Sequence, residues 1–180
     1  MDDWFPAASS DDVSTLQELL ARDLELLNRV HPQYERTALQ LAAAWGARRA
    51  TAFLLDHGAD VLVTDSDGNT ALHLAVGANG VAIVRLLLKH CASGISLSLV
   101  DKRNRDGYTA LLLASTQGYR ACVSLLLELG DANPALALGR PPYSTALDLA
   151  LRGQHQDVIA CLREWNLRHR ERKQMTMPGA

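Results

Sequence analysis

The sequence predicts an all-α solenoid of stacked helix-turn-helix units, and three observations predict it. A six-residue word recurs four times, as TALQLA from Thr37, TALHLA from Thr70, TALLLA from Thr109 and TALDLA from Thr145, at spacings of 33, 39 and 36 residues. A second apolar word follows each: ATAFLLDHGAD, VAIVRLLLKHCAS, ACVSLLLELGDA and DVIACLREW. Self-similarity at such a period marks units that cannot bury an apolar face alone and therefore stack. Composition agrees, because apolar residues make up 48% of the 180 residues but aromatics only 5%, leaving Leu, Ala and Val to fill the interior of closely packed helices.

The elements follow in order. WFPAASSDDVSTLQELLARD fits a short inner helix at Trp4–Ala8 and an outer helix near Val13–Arg22, a first unit acting as a cap. Each later inner helix opens on Thr, whose hydroxyl can cap free backbone N–H groups, and Thr37-x-x-Gln40 has the spacing of a capping box. Apolar residues then fall three and four apart, as in Leu72, Leu74 and Ala75, followed by Ile83, Val84, Leu87 and Leu88. Gly46, Gly80 and Gly118 separate the paired helices, and Gly58 and Gly130 are expected to end outer helices in the left-handed conformation. DSDG and NRDG are turn sequences preceding Thr70 and Thr109. Residues 91–107, CASGISLSLVDKRNRDG, carry the extra length behind the 39-residue spacing. Ile95, Leu97 and Leu99 alternate with serines there, which predicts a lengthened hairpin finger. The connection DANPALALGRPPYS is also extended, and its prolines argue against a regular hairpin. The last outer helix, from about Gln156, buries Val158, Ile159, Leu162 and Trp165, then turns polar in NLRHRERKQ, a run read as a solvated, fraying end.

These words and turns resemble the ankyrin repeat, whose pattern runs D-x-x-G-x-T-P-L-H-x-A, a turn, then V-V-x-L-L-L-x-x-G-A-D. All four T-P-L words read T-A-L here, which gives up a proline pre-set for the first helical turn. The resemblance implies one domain over 1–173, with units near 2–31, 32–64, 65–103, 104–139 and 140–173, short β-hairpin fingers and a flexible tail at 174–180. It further implies a concave groove lined by fingers and inner-helix ends. Mapped onto this chain, the partner-binding candidates are Tyr34, Arg36, Trp45, Ser66, Asp67, Asn69, Arg105, Asp106, Tyr108, Gln117 and Arg152, with Ala44, Ala78, Thr116 and Ser144 beside them. Trp, Tyr and Arg are the usual anchors of interfaces. Trp45 lies off the stripe of Leu39, Leu41 and Ala42, so it either presents to a partner or packs under the next finger.

TDSDGNTALHLAV, from Thr64, gathers two carboxylates, hydroxyls and an imidazole, the ingredients of a catalytic or metal site. The position of His73 holds Gln40, Leu112 and Asp148 in the sibling words, as a helix-start position would rather than a catalytic one. The resemblance implies that His73 bonds Thr70 and nearby backbone. No H-E-x-x-H, G-x-S-x-G, P-loop or G-x-G-x-x-G occurs. The expectation is therefore a non-enzymatic chain with no catalytic residue, metal, cofactor or small-molecule substrate.

A net charge of −2 gives no overall pull toward nucleic acid, and the basic run lacks interleaved aromatics. There is no apolar run of membrane-spanning length, signal peptide or lipidation motif. Three widely spaced cysteines, Cys91, Cys122 and Cys161, fit a reducing compartment. Together these predict an intracellular protein, cytoplasmic first, with nucleus and cytoskeletal or ciliary assemblies also compatible. Charge is uneven: residues 1–28 hold seven acids against Arg22, whereas residues 163–173 hold five bases against two acids. Two function classes follow: an adaptor or regulatory scaffold binding protein partners through groove and fingers, or a structural subunit or assembly factor of a large complex.

Overall fold

The computed structural model describes residues 3–91, 99–139 and 141–175, with backbone alone for residue 91 and for 170–175. Five helix pairs run in chain order: α1 (Trp4–Ser9) and α2 (Val13–Arg22); α3 (Ala38–Trp45) and α4 (Arg48–Asp56); α5 (Ala71–Gly77) and α6 (Val81–Cys91); α7 (Ala110–Gln117) and α8 (Arg120–Glu128); α9 (Ala146–Arg152) and α10 (Gln156–Met175). A 3-10 turn, Leu24–Asn28, follows α2. The odd-numbered helices pack in series as an inner layer, and the even-numbered ones as an outer layer.

Inner helices α3, α5, α7 and α9 have only seven or eight residues, too short to persist alone in water. Caps and burial hold them. Thr37 Oγ1 accepts from Gln40 N at 3.3 Å while Gln40 Oε1 accepts from Thr37 N at 2.8 Å, completing the capping box. Thr109 Oγ1 accepts from Leu112 N at 3.3 Å, and Thr145 and Asp148 repeat the reciprocal pair at 3.3 and 2.9 Å. Leu39, Leu72 and Leu111 of the inner layer and Leu54, Leu87 and Leu126 of the outer layer are fully buried. Each such side chain contributes about 1.5–3 kcal/mol of apolar transfer.

The glycines divide into two kinds. Gly46, Gly58 and Gly118 take the left-handed conformation, but Gly80 and Gly130 do not. Asn79 and Asp131, each with φ of 52°, make those turns instead. Gly130 is needed for clearance, since a Cβ there would lie 2.8 Å from Leu126 O and 3.0 Å from Leu88 Cδ2.

The fingers are tight turns. Asp65 N donates to Asn69 O at 3.0 Å and Gly68 N to Asp65 O at 2.9 Å; Asn104 N to Tyr108 O and Gly107 N to Asn104 O repeat the pattern. Hairpin pairing is reduced to single antiparallel bridges, Val30 with Thr37 and Ala137 with Thr145. The second of these closes the proline-containing connection, helped by Leu138 N donating to Ser144 O at 2.9 Å.

The alternating stretch of the insert departs from expectation where it is described. Leu99 and Val100 are helical and both fully buried, which neighbouring residues of a one-sided strand cannot be. Ile95 and Leu97 lie outside the described residues. The polar C-terminal run is helical to Met175; residues 176–180 lie outside the described residues. Trp165 stacks on His169 with centroids 3.8 Å apart, and Arg168 reaches Glu164 at 3.6 Å and Glu128 at 3.9 Å.

Finger tips touch. A Cβ on Gly68, whose φ is 78°, would lie 2.8 Å from Arg105 N. Gly68→Ala should therefore lose about 1 kcal/mol to the left-handed backbone and more to the displaced neighbouring finger. Gly46→Ala, with φ of 71° and open space around its Cβ, should lose the backbone component alone. Urea unfolding of the two variants separates the contributions.

Candidate protein-binding groove

The fingers are fastened to one another by buried polar groups. Asp65, with its side chain 1% exposed, receives Arg36 Nε and Nη2 on Oδ2, each at 3.1 Å. Its Oδ1 accepts from Asp67 N at 3.1 Å and Asn69 N at 2.8 Å. Asn69 Oδ1 accepts from Asn104 Nδ2 at 2.9 Å, and Asp67 O accepts from Arg105 N at 2.9 Å. Each finger thus holds the next.

Inner-helix starts add a second set of latches. Gln40 Nε2 donates to Val63 O at 3.1 Å and, in the following unit, to Asn69 O at 3.0 Å. His73 Nδ1 accepts from Thr70 Oγ1 at 2.9 Å and Thr70 N at 3.3 Å. That leaves the proton on Nε2, which donates to Tyr108 O at 3.1 Å. Burial pushes the His73 pKa down, so the ring is held neutral. Of the groups that made TDSDGNTALHLAV look catalytic, Asp65, Thr70 and His73 are engaged in structural hydrogen bonds, while Ser66 and Asp67 are exposed. Asp148, exposed at the same position of the last inner helix, has only acceptors and asks nothing of a following finger.

The candidate residues fall into two groups. Tyr34, Trp45, Ser66, Asp67, Arg105, Asp106, Gln117 and Arg152 are exposed. Arg36, Asn69 and Tyr108 are half-buried, because each serves the neighbouring unit. Arg36 holds Asp65, Asn69 holds Asn104, and Tyr108 packs against the core while its carbonyl accepts from His73. Arg152 Nη2 donates to the buried Ser144 Oγ at 3.1 Å. The alternative for Trp45 is resolved: it is 73% exposed, presented to solvent at the end of α3.

Tyr34, Arg36 and Trp45 come together around a cavity of about 440 Å³. The sequence reading missed the rest of its wall: Phe5, Pro6 and Ser9 of α1, His31 and Gln33 of the first finger, and Leu41 of α3. Phe5 meets the His31 ring edge-on at 4.7 Å, and Tyr34 stacks on its face at 4.5 Å. Tyr143, another exposed aromatic in the finger before α9, was also missed.

Among the described residues no group of three or more His, Cys, Asp or Glu is placed to hold a metal ion. Burial pushes the Cys122 thiol up to about 11 and raises that of Cys161, so neither is a ready nucleophile at neutral pH. Among those residues, no helix is long and apolar enough to cross a membrane.

The stack of helix pairs, joined through its fingers and with exposed aromatic side chains on fingers and an inner-helix end, is the architecture of a protein-interaction module. Comparison with known proteins names its kind. The family profile described as ankyrin repeats in three copies matches residues 5–101 and again 50–137, and the chain belongs to the ankyrin-repeat family. It is 32% identical over 138 residues to the nuclear factor NF-kappa-B p105 subunit of Gallus gallus, covering 76% of this chain and 13% of that protein. It is 37% identical over 112 residues to human NF-kappa-B inhibitor alpha, covering 62% of this chain and 35% of that protein. The neurogenic locus Notch protein of Drosophila melanogaster is 34% identical over 112 residues, 62% of this chain and 4% of that protein. The chain thus spans about a third or less of the length of these relatives.

Proposed function

We propose that the chain is a non-catalytic adaptor or regulatory scaffold that binds partner proteins through its concave groove and finger tips. One observation carries this reading. Among the described residues, the exposed Trp and Tyr side chains all stand on fingers or at an inner-helix end: Tyr34 and Tyr143 on fingers, and Trp45 at the end of α3, at 60%, 63% and 73% exposure. The other aromatics are buried or half-buried. Large amphipathic rings held in water on a rigid frame favour binding, because little conformational entropy is lost on contact. Membership of a protein-interaction family supports the same reading.

Photo-cross-linking in native cells tests it. A benzophenone amino acid placed at Tyr34, Trp45 or Gln117 should capture partner protein. The same group at Arg85 or Lys89, exposed on outer helix α6, should capture little. Equal capture from both faces would overturn the groove assignment. The size of the captured species separates an exchanging adaptor from a permanent subunit of a large assembly.

A further inference from the structure

We propose that the first finger is an acid-operated element of the binding face, closed by His31 while Nδ1 is an acceptor and released when that nitrogen takes up a proton. The inference rests on the groove reading and adds a means of regulating it.

Among the described residues, three fingers are closed by a side-chain acceptor on the residue whose own N–H begins the turn: His31, Asp65 and Asn104. The acceptors differ in kind. Asp65 Oδ1 accepts from Asp67 N at 3.1 Å and Asn69 N at 2.8 Å. Asn104 Oδ1 accepts from Asp106 N at 3.1 Å and Tyr108 N at 2.9 Å. In the first finger an imidazole takes this role, with His31 Nδ1 accepting from Gln33 N at 3.1 Å and Tyr34 N at 3.2 Å. The Asn104 amide does not titrate, and the buried Asp65 carboxylate is held by Arg36. Imidazole is the side-chain acceptor that ordinarily changes charge between about pH 5 and 8. Once it is protonated both ring nitrogens are donors, so Nδ1 then faces two N–H groups and can accept from neither.

The neighbours of the ring come from α1, α3 and the finger itself. Phe5 of α1 meets it edge-on at 4.7 Å, and Tyr34 stacks on its face at 4.5 Å. Leu41 and Trp45 of α3 share the cavity with it. Tyr34 and Arg36 are the other titratable or charged side chains lining that cavity, and Arg36 is directed at Asp65. Glu35 of the finger and Asp3 at the start of α1 are exposed. The finger carries Tyr34, an exposed anchor, and Arg36, the clamp on the second finger. Its release therefore displaces one contact of the groove and loosens the hold on Asp65.

Amide hydrogen exchange followed by NMR tests the proposal on the full chain, in the wild type and in His73→Gln, where the buried ring no longer titrates. From pH 7.5 to 5.0, protection of the Gln33 and Tyr34 amides should fall at least about tenfold. Protection of the Asp106 and Tyr108 amides, bonded to the Asn104 amide group, should stay within about twofold. The His31 Nδ1 resonance should move over the same pH range. His31→Asn supplies an acceptor that does not titrate and should keep the Gln33 and Tyr34 amides protected at both pH values. His31→Phe keeps a ring against Phe5 but has no acceptor, so both amides should exchange freely already at pH 7.5.

Unchanged protection of Gln33 and Tyr34 across the range, or an equal loss in His31→Asn, would overturn the proposal. Should cross-links from Trp45 and Gln117 fail while the amides respond as stated, the groove reading falls and the finger device stands. Amides indifferent to pH beside persisting cross-links would remove the device and leave the groove.

Discussion

Trp4→Ala should cost about 3–5 kcal/mol, the largest loss expected from a single substitution in this chain. Trp4 is fully buried, and it anchors a helix of only six residues that packs on α3, α2 and α4. Stability in a stacked array is a sum of unit and interface contributions, so damage at one end is felt there first. Amide exchange should therefore show α1 and α2 losing protection while α7 and α8 keep theirs. Trp4→Phe is the informative companion. Trp4 Nε1 has no partner among the described residues, so the smaller ring removes an unsatisfied donor while keeping most of the contact. Its expected cost is under about 2 kcal/mol. Because Phe5, Pro6 and Ser9 ride on the same helix, Trp4→Ala should also disorder that wall of the cavity beside the first finger. Unchanged protection in α1 would refute this account of the N-terminal unit.

His73 should make the stack sensitive to acid. The buried ring accepts two bonds from Thr70 through Nδ1 and donates one to Tyr108 O, an arrangement only the neutral form can make. The unfolded chain takes up a proton near the ordinary value of 6.5, whereas burial depresses the folded value below it. The unfolded state thus binds more protons in that window. Stability contributed by the site is fully present above pH 6.5 and is lost as pH falls from there through the folded value, with a slope of at most about 1.4 kcal/mol per pH unit. His73→Gln should flatten this dependence while preserving stability at neutral pH, because Gln40 already makes the same reciprocal cap and forward latch. His73→Ala strands buried partners on both sides and should cost about 2–4 kcal/mol. Urea unfolding at pH 7.5, 6.0 and 5.0 reads all three; identical pH profiles for wild type and His73→Gln would refute the assignment.

The architecture could be read from the chain because it is written four times. Thr37, Thr70, Thr109 and Thr145 each open a helix, and copies in register cancel the ambiguity that any one short apolar run carries. What is written once was harder. Leu99 alternates with serines like a strand residue, yet it sits in a helical turn buried against the core. Gly130 resembles a left-handed terminator but is required for close approach, and Asp131 makes the turn.

The binding surface was only half readable, for a geometric reason. Position within a unit tells which residues stand at a finger, but whether they face a partner or the adjoining finger depends on the stacking distance. That separates Asp67 and Arg105, which are exposed, from Asn69 and Tyr108, which are engaged. The pocket draws its wall from residues 5–9, 31–36 and 41–45, three segments that no periodicity links.

The forward latches bear on how the chain is made. Gln40 finds its partners at Val63 and Asn69, and His73 finds its partner at Tyr108. In each case the acceptor is synthesised after the donor. A nascent unit that has just left the ribosome therefore carries a polar group still in need of water, and it closes only when the next finger emerges. Asp148, with acceptors alone, lets the fifth unit close without waiting.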